Sequence, residues 1–225
     1  MKIISLILSF IFVAAQPINA VVMVGFGTSA FVGITDDFSA DLSKWTSSVG
    51  TWSISSGALS CANTEGVIEY TQSSVTTENQ WIKVAFPTTT GPIIGVIFRS
   101  PGALGNRYSI QWREVSNRWD WIVVRENATY VSGVALGFSS GSYGDPAGQT
   151  MGFTLTGTGT SAVAYVFANP VAANPISATS WDSTDDYAGY FSSSGASTTV
   201  DSGTTVGLYI DAAGGSFDNF SAGDL

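Results

Sequence analysis

From residue 51 onward the chain advances in short runs rich in Val, Ile, Phe, Tyr, Trp and Thr, each ended by a cluster of Gly, Pro, Ser, Asn or Asp. A chain punctuated at that interval has no room for helices of ordinary length, and it can bury its apolar side chains only by pairing extended segments. The spacing predicts strands at 51–54, 58–61, 66–70, 80–86, 93–100, 107–113, 118–125, 150–156, 161–167, 205–209 and 216–222. Chain reversals are expected at Ser55-Ser56-Gly57, Thr90-Gly91-Pro92, Pro101-Gly102, Gly144-Asp145-Pro146 and Gly157-Thr158-Gly159. There Gly supplies positive φ and Pro pre-sets a negative one. Only 11% of the residues are charged, which suits an all-β chain whose strands pack on both sides of a shared core.

At 225 residues the chain is long enough for one large antiparallel β-sandwich and too short for two such domains with a linker. Tyr108 to Trp112 and Trp119 to Arg125 read as an antiparallel hairpin turning near Ser116-Asn117. It is the aromatic centre of the sequence. The stretch Val171 to Val200, rich in Ser, Ala and Asp, reads as long loops with a single strand.

Two phrases at opposite ends of this region fit the first and last strands of one closed domain. Asp36-Asp37-Phe38 leads to Gly50-Thr51-Trp52-Ser53-Ile54, and Ser216-Phe217-Asp218-Asn219-Phe220 stands just before the C-terminus. Together they resemble the concanavalin-A-like (laminin-G-like) jelly-roll modules of secreted carbohydrate-binding proteins and phage virion proteins, over residues 36–225. The resemblance implies a jelly-roll sandwich that serves as lectin, glycanase or structural module, since one fold hosts all three.

Lys2, the apolar run Ile3 to Ala15 and then Gln16-Pro17-Ile18-Asn19-Ala20 have the parts of a secretory signal peptide. The alternative reading of residues 1–20 is a retained apolar arm that needs a neighbouring subunit to cover it. Residues 21–35 read as a connector, and 36–225 as the sandwich domain. A secreted or virion-surface location follows from either reading, with no membrane after processing. The net charge of −9 argues against nucleic acid, whose binding depends on Lys and Arg releasing counterions. All eight bases and eight of the acids precede residue 126, while the last hundred residues carry nine acids and no base.

With no histidine in the chain, His-dependent triads and His-ligated metals are excluded, and the one cysteine, Cys61, reads as a small buried apolar residue. Glycoside hydrolysis by paired carboxylates survives that cut. The Glu-x-Asp-x-x-Glu strand of the related glucanases has no counterpart here, however. Glu65 and Glu69 would lie about 13 Å apart on one strand, beyond the roughly 5 to 9.5 Å that the mechanism uses. The expectation is therefore a non-enzymatic recognition module for a glycan or polysaccharide. A structural virion protein that contacts copies of itself or other coat subunits is the alternative, and a glycosidase the third reading.

Sugar binding needs an aromatic face and a few planar polar groups. Tyr108, Gln111, Trp112, Arg113, Arg118, Trp119, Asp120 and Trp121 supply both within one hairpin, and Trp181 in the acidic loop is the tryptophan expected to be exposed. Strand alternation also allows Trp119, Trp121 and Val123 to face inward with Asp120 outward, so core packing competes for each ring. Two acidic groups, Asp182, Asp185 and Asp186 in the loop and Asp36, Asp37 and Asp218 on the terminal phrases, are candidates for a structural calcium ion, a cofactor the resemblance also implies. Asn127 and Asn219 each open an Asn-x-Ser/Thr sequon.

Overall fold

The computed structural model describes residues 33–225 apart from 64, 92, 102–105, 128–129, 139–143, 182–185, 195, 197–198, 201 and 212, with backbone only at 124–127, 130–138 and 186–187. Residues 1–32, and with them the signal-peptide reading, lie outside the described residues.

Among the described residues fifteen strands follow one another: β1 (Ile34–Asp36), β2 (Trp45–Val49), β3 (Trp52–Ser55), β4 (Ala58–Cys61), β5 (Gly66–Tyr70), β6 (Gln80–Thr89), β7 (Ile93–Ser100), β8 (Asn106–Arg113), β9 (Arg118–Asn127), β10 (Tyr130–Phe138), β11 (Gln149–Thr156), β12 (Val163–Ala168), β13 (Asp186–Ser192), β14 (Thr205–Asp211) and β15 (Gly215–Asp224). They form an eight-stranded sheet in the order β13-β12-β11-β6-β15-β4-β3, with β1 also on β15, and a seven-stranded sheet in the order β10-β9-β8-β7-β14-β5-β2. All strand pairings are antiparallel. Among the described residues no helix is long and apolar enough to cross a membrane.

Eleven of these strands coincide with those expected from the sequence to within a few residues. β1, β2 and β10 were not among them, and β13 is the one strand of the 171–200 stretch. The reversal joining β3 to β4 is tight. Ser55 pairs with Ala58 across a two-residue turn, and Ser56 (φ 54°) and Gly57 (φ 77°) both take left-handed φ. That turn's twist matches the twist of the flanking strands.

The core between the sheets is aromatic. Trp119 of β9 meets Phe153 of β11 edge-on at 5.3 Å and Phe86 of β6 at 6.1 Å, while Tyr108 and Trp121 lie 5.0 Å apart. Cys61 is buried in the same core, in keeping with its apolar reading. A smaller cluster sits on the outer side of the eight-stranded sheet, where the loop at 170–181 folds back and buries Trp181 against Trp81 and Phe167. Carbonyl oxygen of Ala172 holds this loop down, accepting from Lys83 Nζ at 2.7 Å and Trp181 Nε1 at 2.9 Å. Burial under that loop also pushes the Lys83 ammonium below the usual lysine range.

The opening and closing phrases do meet. Ile34, Thr35 and Asp36 pair with Ala222, Ser221 and Phe220. Near the C-terminus, Asp224 accepts backbone N–H bonds from Thr76 (2.9 Å) and Thr77 (2.8 Å) and a hydroxyl bond from each. Partial burial works against its charge, but these bonds prevail and hold the carboxyl below the usual aspartate value of 3.8. A lowered folded pKa contributes stability above the unfolded value, and that stability is lost as pH falls through the folded one. Between about pH 6 and about pH 3 the parent protein is expected to lose more urea resistance than Asp224→Asn does. Parallel pH profiles for the two proteins would contradict the clasp.

Candidate functional site

The β8–β9 hairpin divides its side chains by alternation. Tyr108, Ile110 and Trp112 of β8, with Trp119, Trp121 and Val123 of β9, enter the inter-sheet core, and none is more than 1% exposed. Gln111, Arg113, Arg118 and Asp120 therefore stand on the opposite, outer face of the seven-stranded sheet. There Arg113 pairs with Arg118 across the hairpin and Gln111 pairs with Asp120. The intervening turn, Glu114 to Asn117, is exposed and closes on Asn117 in left-handed conformation (φ 47°).

Asp120 is the pivot of this outer face. Its side chain is only 5% exposed, yet it forms ion pairs with two arginines whose side chains are 41% and 34% exposed. Arg118 Nε donates to Oδ1 at 2.7 Å, and Arg113 Nε lies 2.5 Å from Oδ2. One buried carboxylate thus holds two planar guanidinium groups side by side at the surface. Beside them, fully buried Gln111 donates from Nε2 to Ser109 Oγ at 3.0 Å, and its Oε1 has no partner.

Further groups continue the array across the sheet. Tyr209 of β14 is in register with Gly95 of β7, which in turn faces Gln111. Its hydroxyl donates to Glu65 Oε1 at 3.3 Å. Burial, with the nearby charges of Asp211 and Glu65, pushes the Tyr209 hydroxyl above the usual tyrosine range. Burial likewise raises the Asp211 carboxyl, although the Arg113 charge opposes it. Between these polar ends lie Ile93, Ile97, Ile122 and Val67, packed with Tyr209. Acid and base alternate from Asp211 through Arg113 and Asp120 to Arg118. That run could engage a ligand that offers both donors and acceptors.

Several sequence expectations need correction. Tyr108, Trp112, Trp119 and Trp121 are core side chains, so the stacking platform expected on this hairpin is not formed by its own rings. Each falls on the inward parity of its strand. Trp181, expected to be the exposed tryptophan, is fully buried, because its loop folds onto the eight-stranded sheet. Glu69 is buried and ion-paired to Arg107, and it also accepts a bond from Ser100, so it is committed to the interior of the sheet.

The calcium expectation finds no support among the described residues. Asp36 accepts from Phe38 N (2.9 Å) and Trp45 Nε1 (3.0 Å), Asp37 from Ser39, and Asp218 from Asn219 N, so their oxygens already face N–H and O–H donors. Among the described residues no three His, Cys, Asp or Glu side chains come together as a metal site. Asp182 and Asp185 lie outside the described residues, as does the Asp186 side chain.

Two face-to-face antiparallel sheets, joined in this strand order, make the chain a concanavalin-A-like jelly-roll sandwich, the fold of lectins and carbohydrate-binding modules. The carbohydrate-binding module CBM66 from Bacillus subtilis superposes with a TM-score of 0.55 at 13% identity, covering 80% of this chain and 96% of that one. A second structure, described with the endo-acting O-glycanases that prominent members of the human gut microbiota express to initiate mucin breakdown, gives 0.50 at 12% identity, over 85% of this chain and 98% of that one. The sequence matches no protein-family model and no curated protein.

Proposed function

We propose that this chain is a non-enzymatic recognition module, exported or displayed on a virion, that binds a glycan at the polar end of the outer face of its seven-stranded sheet. The observation that carries the reading is the buried Asp120 carboxylate holding the half-exposed guanidinium groups of Arg113 and Arg118 side by side. Planar donors fixed before the ligand arrives match the adjacent hydroxyls of a sugar, and they lose little side-chain entropy on binding. Exposed Asn117 at the turn extends the polar rim.

The fold shared with CBM66, named as a carbohydrate-binding module, supports the ligand class. The signal-like character of residues 1–20 supports export. The absence of enzymatic activity rests on the chemistry of the acids. Glu69 and Asp120 are both committed to arginines, which supports that reading.

The test is binding of the full chain to a broad glycan panel, with and without EDTA. Arg113→Lys and Arg118→Lys keep the charge beside Asp120 and lose the fork. Each is expected to weaken glycan binding about tenfold while the circular dichroism spectrum stays that of the parent. Trp119→Phe, which changes only the core, should bind as the parent does. A panel that stays silent, or lysine variants that bind unchanged, would overturn the site and favour the assembly role. Loss of binding in EDTA would instead add calcium through the acidic loop.

A further inference from the structure

The edge of β15 is shared by two strands in turn. β4 pairs with Ser216 and Phe217, and β1 takes over from Phe220 to Ala222. Between these partners the chain bulges. The β6 register shifts across Asp218 to Ser221, and Asn219 adopts left-handed conformation (φ 49°) with its side chain exposed. A bulge of this kind re-aims a side chain, and it is retained at a cost in backbone strain. Beside it opens a cleft of about 420 Å³, lined by Thr35, Asp36, Asp37, Lys44, Asn219, Phe220 and Ser221.

The chemistry of the lining is specific. Asp36 is the supporting group, since its carboxylate takes bonds from Phe38 N and Trp45 Nε1 and lies 3.5 Å from Lys44 Nζ. That contact places the Lys44 ammonium at the cleft with its side chain 38% exposed. Asp37 is fully exposed, and hydrogen bonds from Ser39 hold its carboxyl below the usual aspartate range, so it is an anionic acceptor near neutral pH. Thr35 and Ser221 are cross-strand partners whose hydroxyls both donate and accept. The Asn219 amide adds donors and an acceptor.

We infer that this cleft is a second ligand site, separate from the arginine pair, that takes one ring of a neutral polyhydroxylated ligand. Two carboxylates against one ammonium leave the lining negative, which disfavours an anionic ligand. Strong donors and strong acceptors occur within one cleft, so a ligand that fills it must offer both while remaining uncharged. Vicinal hydroxyl groups do that, and the volume accommodates a single pyranose unit with its first-shell water.

The experiment is a two-dimensional amide NMR titration of the full chain with the methyl pyranosides of glucose, galactose and mannose at millimolar concentration. Inorganic phosphate serves as the anionic comparison. Shifts are expected at the amides of Thr35, Lys44, Asn219 and Ser221 with at least one glycoside. Asn219→Gly keeps the backbone conformation and removes the amide, and Lys44→Met removes the ammonium. Each should weaken that response about tenfold, and Arg118→Lys should leave it unchanged. No shift at these amides with any glycoside, a larger shift with phosphate, or an unaltered response in both variants would overturn the site. A response lost in Arg118→Lys alone would assign all sugar binding to the arginine pair and overturn it as well.

Discussion

Replacing Arg99 by Met is expected to cost about 4 kcal/mol of folding stability, read as a fall in the urea midpoint at unchanged slope. Arg99 is fully buried, and it contacts backbone oxygens and an aromatic ring. Nε and Nη2 donate to the Glu78 carbonyl at 3.0 and 2.7 Å, Nη1 donates to Val200 O at 3.0 Å, and Nη2 also reaches Gly157 O. The guanidinium carbon lies 5.6 Å from the centre of the Tyr108 ring, and the Tyr108 hydroxyl in turn accepts from Val200 N. Gln80 completes the arrangement. It takes the Arg99 amide on Oε1 and donates from Nε2 to Thr77 O and Gly203 O.

One side chain therefore ties together three loops that lie far apart in sequence. Methionine would fill much of the volume and strand the carbonyls of Glu78, Gly157 and Val200 in a buried place, which is the expensive way to lose a hydrogen bond. Arg99→Lys keeps the charge without the fork and should recover less than half of the loss. A fall below about 1 kcal/mol for Arg99→Met would mean that the loops hold their positions by other contacts.

Trp119→Ala is expected to destabilise the fold by about 4 kcal/mol through the cavity it leaves among Phe86, Trp112 and Phe153. Trp119→Phe should cost much less. The pair of variants separates two roles for this ring. Alanine with parental stability and lost glycan affinity would place the ring on a ligand surface. Alanine that melts early, beside a phenylalanine variant that binds normally, is the outcome the core position predicts.

The strand pattern could be read in the sequence because alternation and turn chemistry act locally. The Trp119-Asp120-Trp121 triplet carries its inside and outside in its own order, and so the hairpin was legible to within a residue or two, although its rings were also read as ligand candidates. β10 was not anticipated, because Tyr130 to Phe138 is rich in small residues and no clear turn signal frames it. β1 is only three residues long, and it is defined by its partner at the other end of the chain rather than by its own composition. Trp181 could not be placed for a related reason. Its burial depends on where a loop lands, and Gly152, which leaves room for the ring, is in a different strand.

The site was half legible. Polar residues on the outward parity of the hairpin were visible, but the sequence did not indicate that Asp120 would gather both arginines, nor that Tyr209, Glu65 and Asp211 would join them. The Arg99 hub gives no signal at all, because its acceptors are carbonyl groups, which every residue has.

The placement of the last two strands has a consequence for how the sandwich closes. β14 lies between β7 and β5 in one sheet, and β15 lies between β6 and the β4 and β1 strands in the other. Each sheet is thus completed from within by a strand that follows the sheet's other members in sequence. Until these two strands are in place, β6 and β7 remain open edges, and the two halves of each sheet have nothing to join them. Closure of the sandwich is therefore a long-range event, which local hairpins formed earlier cannot bring about by themselves.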